Sequence, residues 1–265
     1  EYIEWVLRKK GLTDAEIRKW LDDYMKLLQK YPNAPKMFVA LLLMQGHLSP
    51  EQVAAILQNY TASTITPASL TAEQQALLAQ LVQEFPNVDS GFLSRLIATN
   101  LNPQQIRAFL TNHATDMPYI TMLYTQLQGI EGVDRVLKDL ANGSPGSYKG
   151  SLYQLEWALS VKPDLDELEL YHNGVKSADA KLKDGTIVVD LKSYLWYGQT
   201  PAYAKMKGAD FARQLRNYLR DYPGAKVEFI FDSDGGPVPQ EVKDALKSID
   251  PNVIIESWPN SNPTP

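Results

Sequence analysis

The sequence predicts an α/β protein in which an all-α N-terminal domain, residues 1–142, precedes a mixed-sheet α/β domain at 148–258 and a short tail at 259–265. Three observations predict it. Helix start signals recur through the first part, and a cluster of breakers, Asn142-Gly143-Ser144-Pro145-Gly146-Ser147, ends that pattern. Strand-like runs then alternate with helical ones.

Composition narrows the class. With 44% hydrophobic and 22% charged residues, the 265-residue chain has the make-up of a soluble globular protein, which excludes bulk disorder. Its longest apolar run, Met37 to Met44, falls short of the roughly 20 residues of a membrane span. No membrane partner is expected, and the site of action is expected to be cytoplasmic. The start at Glu1 points to a piece of a longer chain, so any targeting signal is unread. The absence of cysteine removes disulfides, thiolate metal sites and cysteine nucleophiles. The net charge of -5 argues against a surface that grips polyanions everywhere. Between Asn173 and Lys226, however, ten Lys or Arg face five Asp, a local positive excess.

Thr13 with Glu16 and Thr71 with Gln74 match the capping box, while Ser49-Pro50-Glu51-Gln52 and Asn102-Pro103-Gln104-Gln105 add proline at the first helical position. Gly11, Gly46 and the loop at Asn100 are stops. The signals repeat in order, which predicts a duplicated helical unit near 12–60 and 70–113, joined by Thr61 to Ser69. A further helical stretch is expected from Pro118 to Leu140.

Beyond the breakers come a helix (Tyr148 to Val161) and strands at Leu168–His172, Val175–Leu182 and Thr186–Lys192. A long helix (Tyr203 to Tyr222), a strand (Lys226 to Phe231), a helix (Pro239 to Ser248) and a strand (Asn252 to Glu256) follow. The order is αβββαβ followed by αβ.

One hairpin carries the candidate chemistry. Asp184-Gly185 between two strand-forming runs signals a two-residue turn. That register pairs Lys183 with Thr186 and sets Asp179 opposite Asp190. It gathers Ala178, Ala180, Leu182, Ile187, Val189 and Leu191 on one apolar face and leaves the other face polar. Lys192, two residues beyond Asp190, shares the polar face. Opposed carboxylates repel unless a cation or a shared proton intervenes, and with oxygen ligands alone Mg²⁺ or Mn²⁺ suits them. The other reading is an exposed polar face in which Lys181, Lys183 and Lys192 neutralise the aspartates.

In the preceding helix Glu156 stands beside the stripe of Leu152, Leu155 and Leu159, so its carboxylate can point inward. In the long helix Gln214 and Tyr218 are stacked one turn apart. Just after Lys192, Tyr194, Trp196, Tyr197 and Tyr203 are interleaved with Gln199, Lys205 and Lys207, a mixture suited to bases and phosphates, or to a tyrosine-rich cover for the sheet.

These residues resemble the PD-(D/E)xK nuclease superfamily of restriction endonucleases and RecB-type exonucleases. Asp179 followed by Asp190-Leu191-Lys192 is similar to its signature, with Ala178 where the family has proline. Gln214-Leu215-Arg216-Asn217-Tyr218 is similar to an element that follows the core in RecB-type members. The resemblance implies a restriction-endonuclease-like core and hydrolysis of phosphodiester bonds in DNA or RNA. Asp179, Asp190, the Leu191 carbonyl and Glu156 would hold Mg²⁺ or Mn²⁺, Lys192 would stabilise the transition state, and Gln214 and Tyr218 would position the site or the strand. Trp196, Lys205, Lys207 and Arg213 would contact the nucleic acid. Gly150-Ser151-Leu152-Tyr153-Gln154-Leu155-Glu156 and the placement after a helical region also look like toxin domains of bacterial polymorphic systems, which implies a small immunity partner. The alternative is a non-catalytic interaction protein that docks partners through the helical repeats and a degenerate nuclease fold. No nucleophile elbow or Walker-type phosphate loop is present, and His47, His113 and His172 lie in unrelated contexts.

Overall fold

The computed structural model describes residues 2–46, 48–142, 145–232 and 235–258. The 259–265 tail, His47, and Gly143 and Ser144 of the breaker cluster lie outside the described residues.

Helices α1 (Tyr2–Lys9), α2 (Asp14–Lys30), α3 (Lys36–Met44) and α4 (Pro50–Gln58) come first, then α5 (Ala72–Glu84), α6 (Ser90–Ala98) and α7 (Pro103–Asn112). All four expected capping boxes form, each satisfying two helix-end donors at once. Helices α2 and α5 both start on a capping box and end on aromatic residues of nearly equal backbone geometry, Tyr31 at φ -124° and Phe85 at φ -128°. Asn100 ends its turn with φ 61°.

The expected helix from Pro118 to Leu140 is two helices, α8 (Met117–Leu127) and α9 (Val133–Asn142). Gly129 and Gly132 between them have φ of 91° and 85°. The break lets Glu131 O accept from Leu168 N at 2.8 Å. Gly132 packs so tightly there that a Cβ would come within 1.7 Å of the Leu168 carbonyl oxygen.

Helix α10 (Pro145–Ser160) starts inside the breaker cluster, with proline in its first turn. A 3₁₀ turn (Lys162–Asp164) leads to β1 (Leu165–Leu168), followed by β2 (Tyr171–His172), β3 (Val175–Lys176), β4 (Ala180–Leu182) and β5 (Ile187–Lys192). Helix α11 (Pro201–Asp221), β6 (Lys226–Asp232), α12 (Gln240–Lys247) and β7 (Ile254–Trp258) complete the chain. The five-stranded sheet has the order β1-β4-β5-β6-β7, antiparallel through β1-β4-β5 and parallel through β5-β6-β7. The protein is thus α/β with a mixed sheet.

Two strand boundaries differ from expectation. The runs expected at Leu168–His172 and Val175–Leu182 are divided, because Tyr171–Lys176 folds back on itself as a separate two-stranded hairpin around Asn173 and Gly174, both at positive φ. The β4–β5 register is the expected one: Ala180 pairs with Val189, Lys181 with Val188 and Leu182 with Ile187. Asp184 and Gly185 take the positive φ of a type I′ turn, 56° and 77°.

Both faces of the sheet are covered. One face, with Leu168, Ala180, Leu182, Val189 and Ile230, joins α10 and the N-terminal helices in a continuous core. The face expected to be polar carries Val188, Val227, Phe229 and Phe231 beneath Phe211, Leu215 and Tyr218 of α11. Ala178 belongs to this second core and not beside Ala180, because alternation is lost at the bend at Asp179. Among the described residues no helix is long and apolar enough to cross a membrane.

Candidate active site

Asp190 sits near the end of β5 on the α11 side and is 2% exposed. Its carboxylate is gripped from both ends: Lys192 Nζ lies 2.5 Å from Oδ1, and the Tyr218 hydroxyl donates to Oδ2 at 2.9 Å. Tyr218 also donates to Ser177 O at 3.3 Å, tying α11 to the segment before Asp179. Burial, and after it the nearby Asp179 carboxylate, push Asp190 up to about 7 against the pull of Lys192. Burial works against the Lys192 ammonium, but Asp190 and Asp179 outweigh it and shift it upward. Its surroundings are otherwise aromatic, with the Phe211 centroid 5.4 Å and the Phe229 centroid 6.0 Å away.

Asp179 lies at the bend before β4. Its Oδ2 accepts from Leu191 N at 2.8 Å, and its carbonyl accepts from Glu169 N at 2.8 Å and from Gln154 Nε2 at 2.9 Å. The structure therefore brings Asp179, Asp190, Lys192 and Tyr218 together, the acids drawn to one place by the hairpin and held from α11.

Asp179 and Leu191 open onto a cleft of about 570 Å³ between α9, α10 and the sheet, which Asp139, Gln154, Glu169 and Lys176 also line. Asp190 and Lys192 stand behind that wall.

Glu156 is a correction. It is 1% exposed and accepts a hydrogen bond of 2.6 Å from Tyr119 of α8, on the side of α10 that faces the helical core. The cleft is met by Ser147, Gly150, Ser151 and Gln154, one turn apart along the opposite side of α10. Burial and Glu156 together raise the Tyr119 hydroxyl well above its ordinary value. Glu156 thus holds α8 to α10.

The carboxylate that does face Asp179 is Glu169, between β1 and β2. It is 1% exposed, has a left-handed backbone at φ 50°, and is raised by burial and Asp179 against the pull of Lys176. Lys176 Nζ lies 2.5 Å from Glu169, 3.4 Å from Asp139 and 4.0 Å from Asp179. Burial disfavours that ammonium, yet the acids hold it above its usual range. Sequence reasoning passed over Glu169 because nothing in Leu168-Glu169-Leu170 distinguishes it from an exposed strand residue. The signal available was the Asn173-Gly174 turn, which folds Lys176 back toward Glu169.

The expected nucleic-acid contacts are scattered. Trp196 is another correction: it is 5% exposed, packed against Phe211 and Phe231 in the second core, and offers no face to a base. Lys205 is exposed, and Lys207 lies over the rings of Tyr194 and Tyr203. Arg213 is exposed and paired with Asp210 at 3.1 Å. Gln214 lines a second pocket beside Ser177 and Tyr218, its Oε1 buried with no hydrogen-bond partner among the described residues.

No protein-family model, curated protein or solved structure matches this chain.

Among the described residues no three His, Asp or Glu side chains are grouped so as to hold a divalent ion. Asp179 and Asp190 nevertheless meet as a like-charged pair, one of them carrying a raised pKa, and hard oxygen donors of this kind are what Mg²⁺ or Mn²⁺ takes. Asp179 and Asp190 are the two carboxylates on which such an ion would rest, Asp190 sharing its oxygens with Lys192 and Tyr218, while Glu169 and Asp139 are the other acids lining the cleft.

Proposed function

We propose that the protein is a divalent-metal-dependent nuclease of the PD-(D/E)xK type, hydrolysing phosphodiester bonds of DNA or RNA. One observation carries the reading: Asp179 and Asp190 converge across the β4–β5 hairpin with Lys192 on Asp190 and Tyr218 reaching in from α11. The αβββαβ order of α10, the antiparallel strands, α11 and β6 supports it.

Asp179 and Asp190 would hold Mg²⁺ or Mn²⁺, with Glu169 taking the part expected of Glu156. Such an ion supplies Lewis acidity toward a phosphate and toward attacking water. The chain's own residues do the rest. Lys192, held by Asp190 behind the cleft wall, would add a fixed, weakly screened positive charge to the field in which negative charge builds on the phosphate. Tyr218 holds Asp190 in place, and Gln154 fixes the bend that presents Asp179 to the cleft. Lys176 offers a second ammonium on the cleft wall for a phosphate oxygen.

The rival, a nuclease-like fold used for docking, draws support from the burial of Asp190 and Lys192 behind the cleft wall. Incubating the full chain with plasmid DNA, single-stranded DNA and RNA in Mg²⁺ or Mn²⁺ separates the two. Cleavage that stops with EDTA and in Asp190→Ala supports the enzyme. No cleavage of any polymer, together with no divalent binding by calorimetry, leaves the docking reading.

A further inference from the structure

The loop after Lys192 is firmly held, yet it leaves large apolar side chains in water. Trp196 N and Tyr197 N both donate to Gly235 O, at 2.6 and 3.3 Å. Gly235 lies so close to the Tyr194 carbonyl oxygen that a Cβ would come within 1.7 Å of it, and a Cβ on Gly236 would meet three carbons of the Tyr197 ring at 3.0–3.1 Å. One face of the Tyr197 ring therefore rests flat on backbone, and beneath the loop Trp196 is anchored in the second core. Against this backing Leu195 is 62% and Tyr197 63% exposed.

One cation lies close by. Lys207 Nζ, from α11, stands 5.3 Å from the centroid of Tyr194, the residue before Leu195. A prepaid aromatic surface with one open face, an aliphatic neighbour and a nearby ammonium group fits a flat, π-faced ligand with an anionic backbone.

We propose that Tyr197 and Leu195 form a stacking platform for an unpaired base of a single-stranded nucleic acid, with a neighbouring phosphate met by Lys207. The platform stands three to five residues beyond Lys192, and its role beside a cleavage site rests on the nuclease reading. A base within a duplex has both faces covered by its neighbours and cannot use it.

The test is anisotropy of labelled oligothymidylate, oligouridylate and a blunt duplex with the full chain in EDTA, where no cleavage occurs. Tyr197→Ala is expected to weaken single-strand binding about 10-fold, since stacking contributes about 1–3 kcal/mol per base, and Tyr197→Phe is expected to retain it. Leu195→Ala, which leaves the ring's seat on Gly236 intact, should weaken binding in the same direction. A preference between the two oligomers, which differ in the 2′-hydroxyl and in the 5-methyl group of the base, supports the platform either way. No single-strand binding by the wild type, binding indifferent to Tyr197→Ala, or equal loss in Tyr197→Phe overturns it. A wild type that binds through Tyr197 but cleaves nothing in Mg²⁺ keeps the platform and removes the enzyme, and the converse result does the reverse.

Discussion

Lys192 reaches back along its own strand to Asp190, its ammonium 2.5 Å from Oδ1, and both side chains are nearly closed to solvent. The pair is a charge held ready in a dry setting, where its field is weakly screened. Lys192→Ala should lower metal-dependent cleavage by about 10²–10³-fold, the scale of losing one fixed transition-state charge or donor. It also leaves Asp190 buried without its ammonium, and the carboxyl can escape by taking up a proton. The loss of stability, read by chemical denaturation, should therefore be larger above pH 7 than below it. An equal loss at both would mean that Asp190 is not the group affected.

Asp190 also sets a pH dependence for the metal-free wild type. Its ordinary value is 3.8 and the fold raises it to about 7, so between those values the native state keeps a proton that the unfolded chain has released. This contribution to stability is fully present below pH 3.8, declines as pH rises and is lost above about 7. Asp179→Asn removes the neighbouring charge and should flatten the decline when unfolding is followed in EDTA across that window.

A divalent ion that binds the folded chain should raise its stability by mass action, by about 2.7 kcal/mol at roughly one hundred times Kd. Thermal unfolding with Mg²⁺ or Mn²⁺ should show the rise in the wild type and none in Asp179→Asn or Asp190→Asn. A rise that survives both substitutions would place the ion elsewhere.

Glu156 and Glu169 should part company. Glu169→Gln is expected to depress cleavage while folding is kept, because the amide preserves shape without charge beside Asp179. Glu156→Ala deprives the buried Tyr119 hydroxyl of its acceptor and should cost about 1–3 kcal/mol, with the activity per folded molecule unchanged. Activity and melting temperature measured on both variants check the assignment.

What was legible in the sequence was local. Asp184-Gly185 dictates a turn, the turn dictates the register, and the register delivers Asp179 to Asp190. The capping boxes were legible for the same reason, each lying within four residues. The face of α10 that meets the cleft was not: Glu156 borders an apolar stripe in either orientation, and the deciding contact comes from Tyr119, 37 residues earlier. The aromatic loop misled in a similar way. Trp196 and Tyr197 are neighbours of like composition, and what separates them is distant in sequence: Phe211 and Phe231 receive Trp196, while Gly236 lies under the Tyr197 ring.

The contact of Gly132 with Leu168, and the core that runs from the N-terminal helices onto the sheet, set a limit on dissection. A fragment cut free at Pro145 would lose the N-terminal share of that core and take from Leu168 N the carbonyl supplied by Glu131. Transplanting the chemistry into another protein therefore means carrying both halves, and a protease nick between α9 and α10 should leave two pieces that stay clamped together.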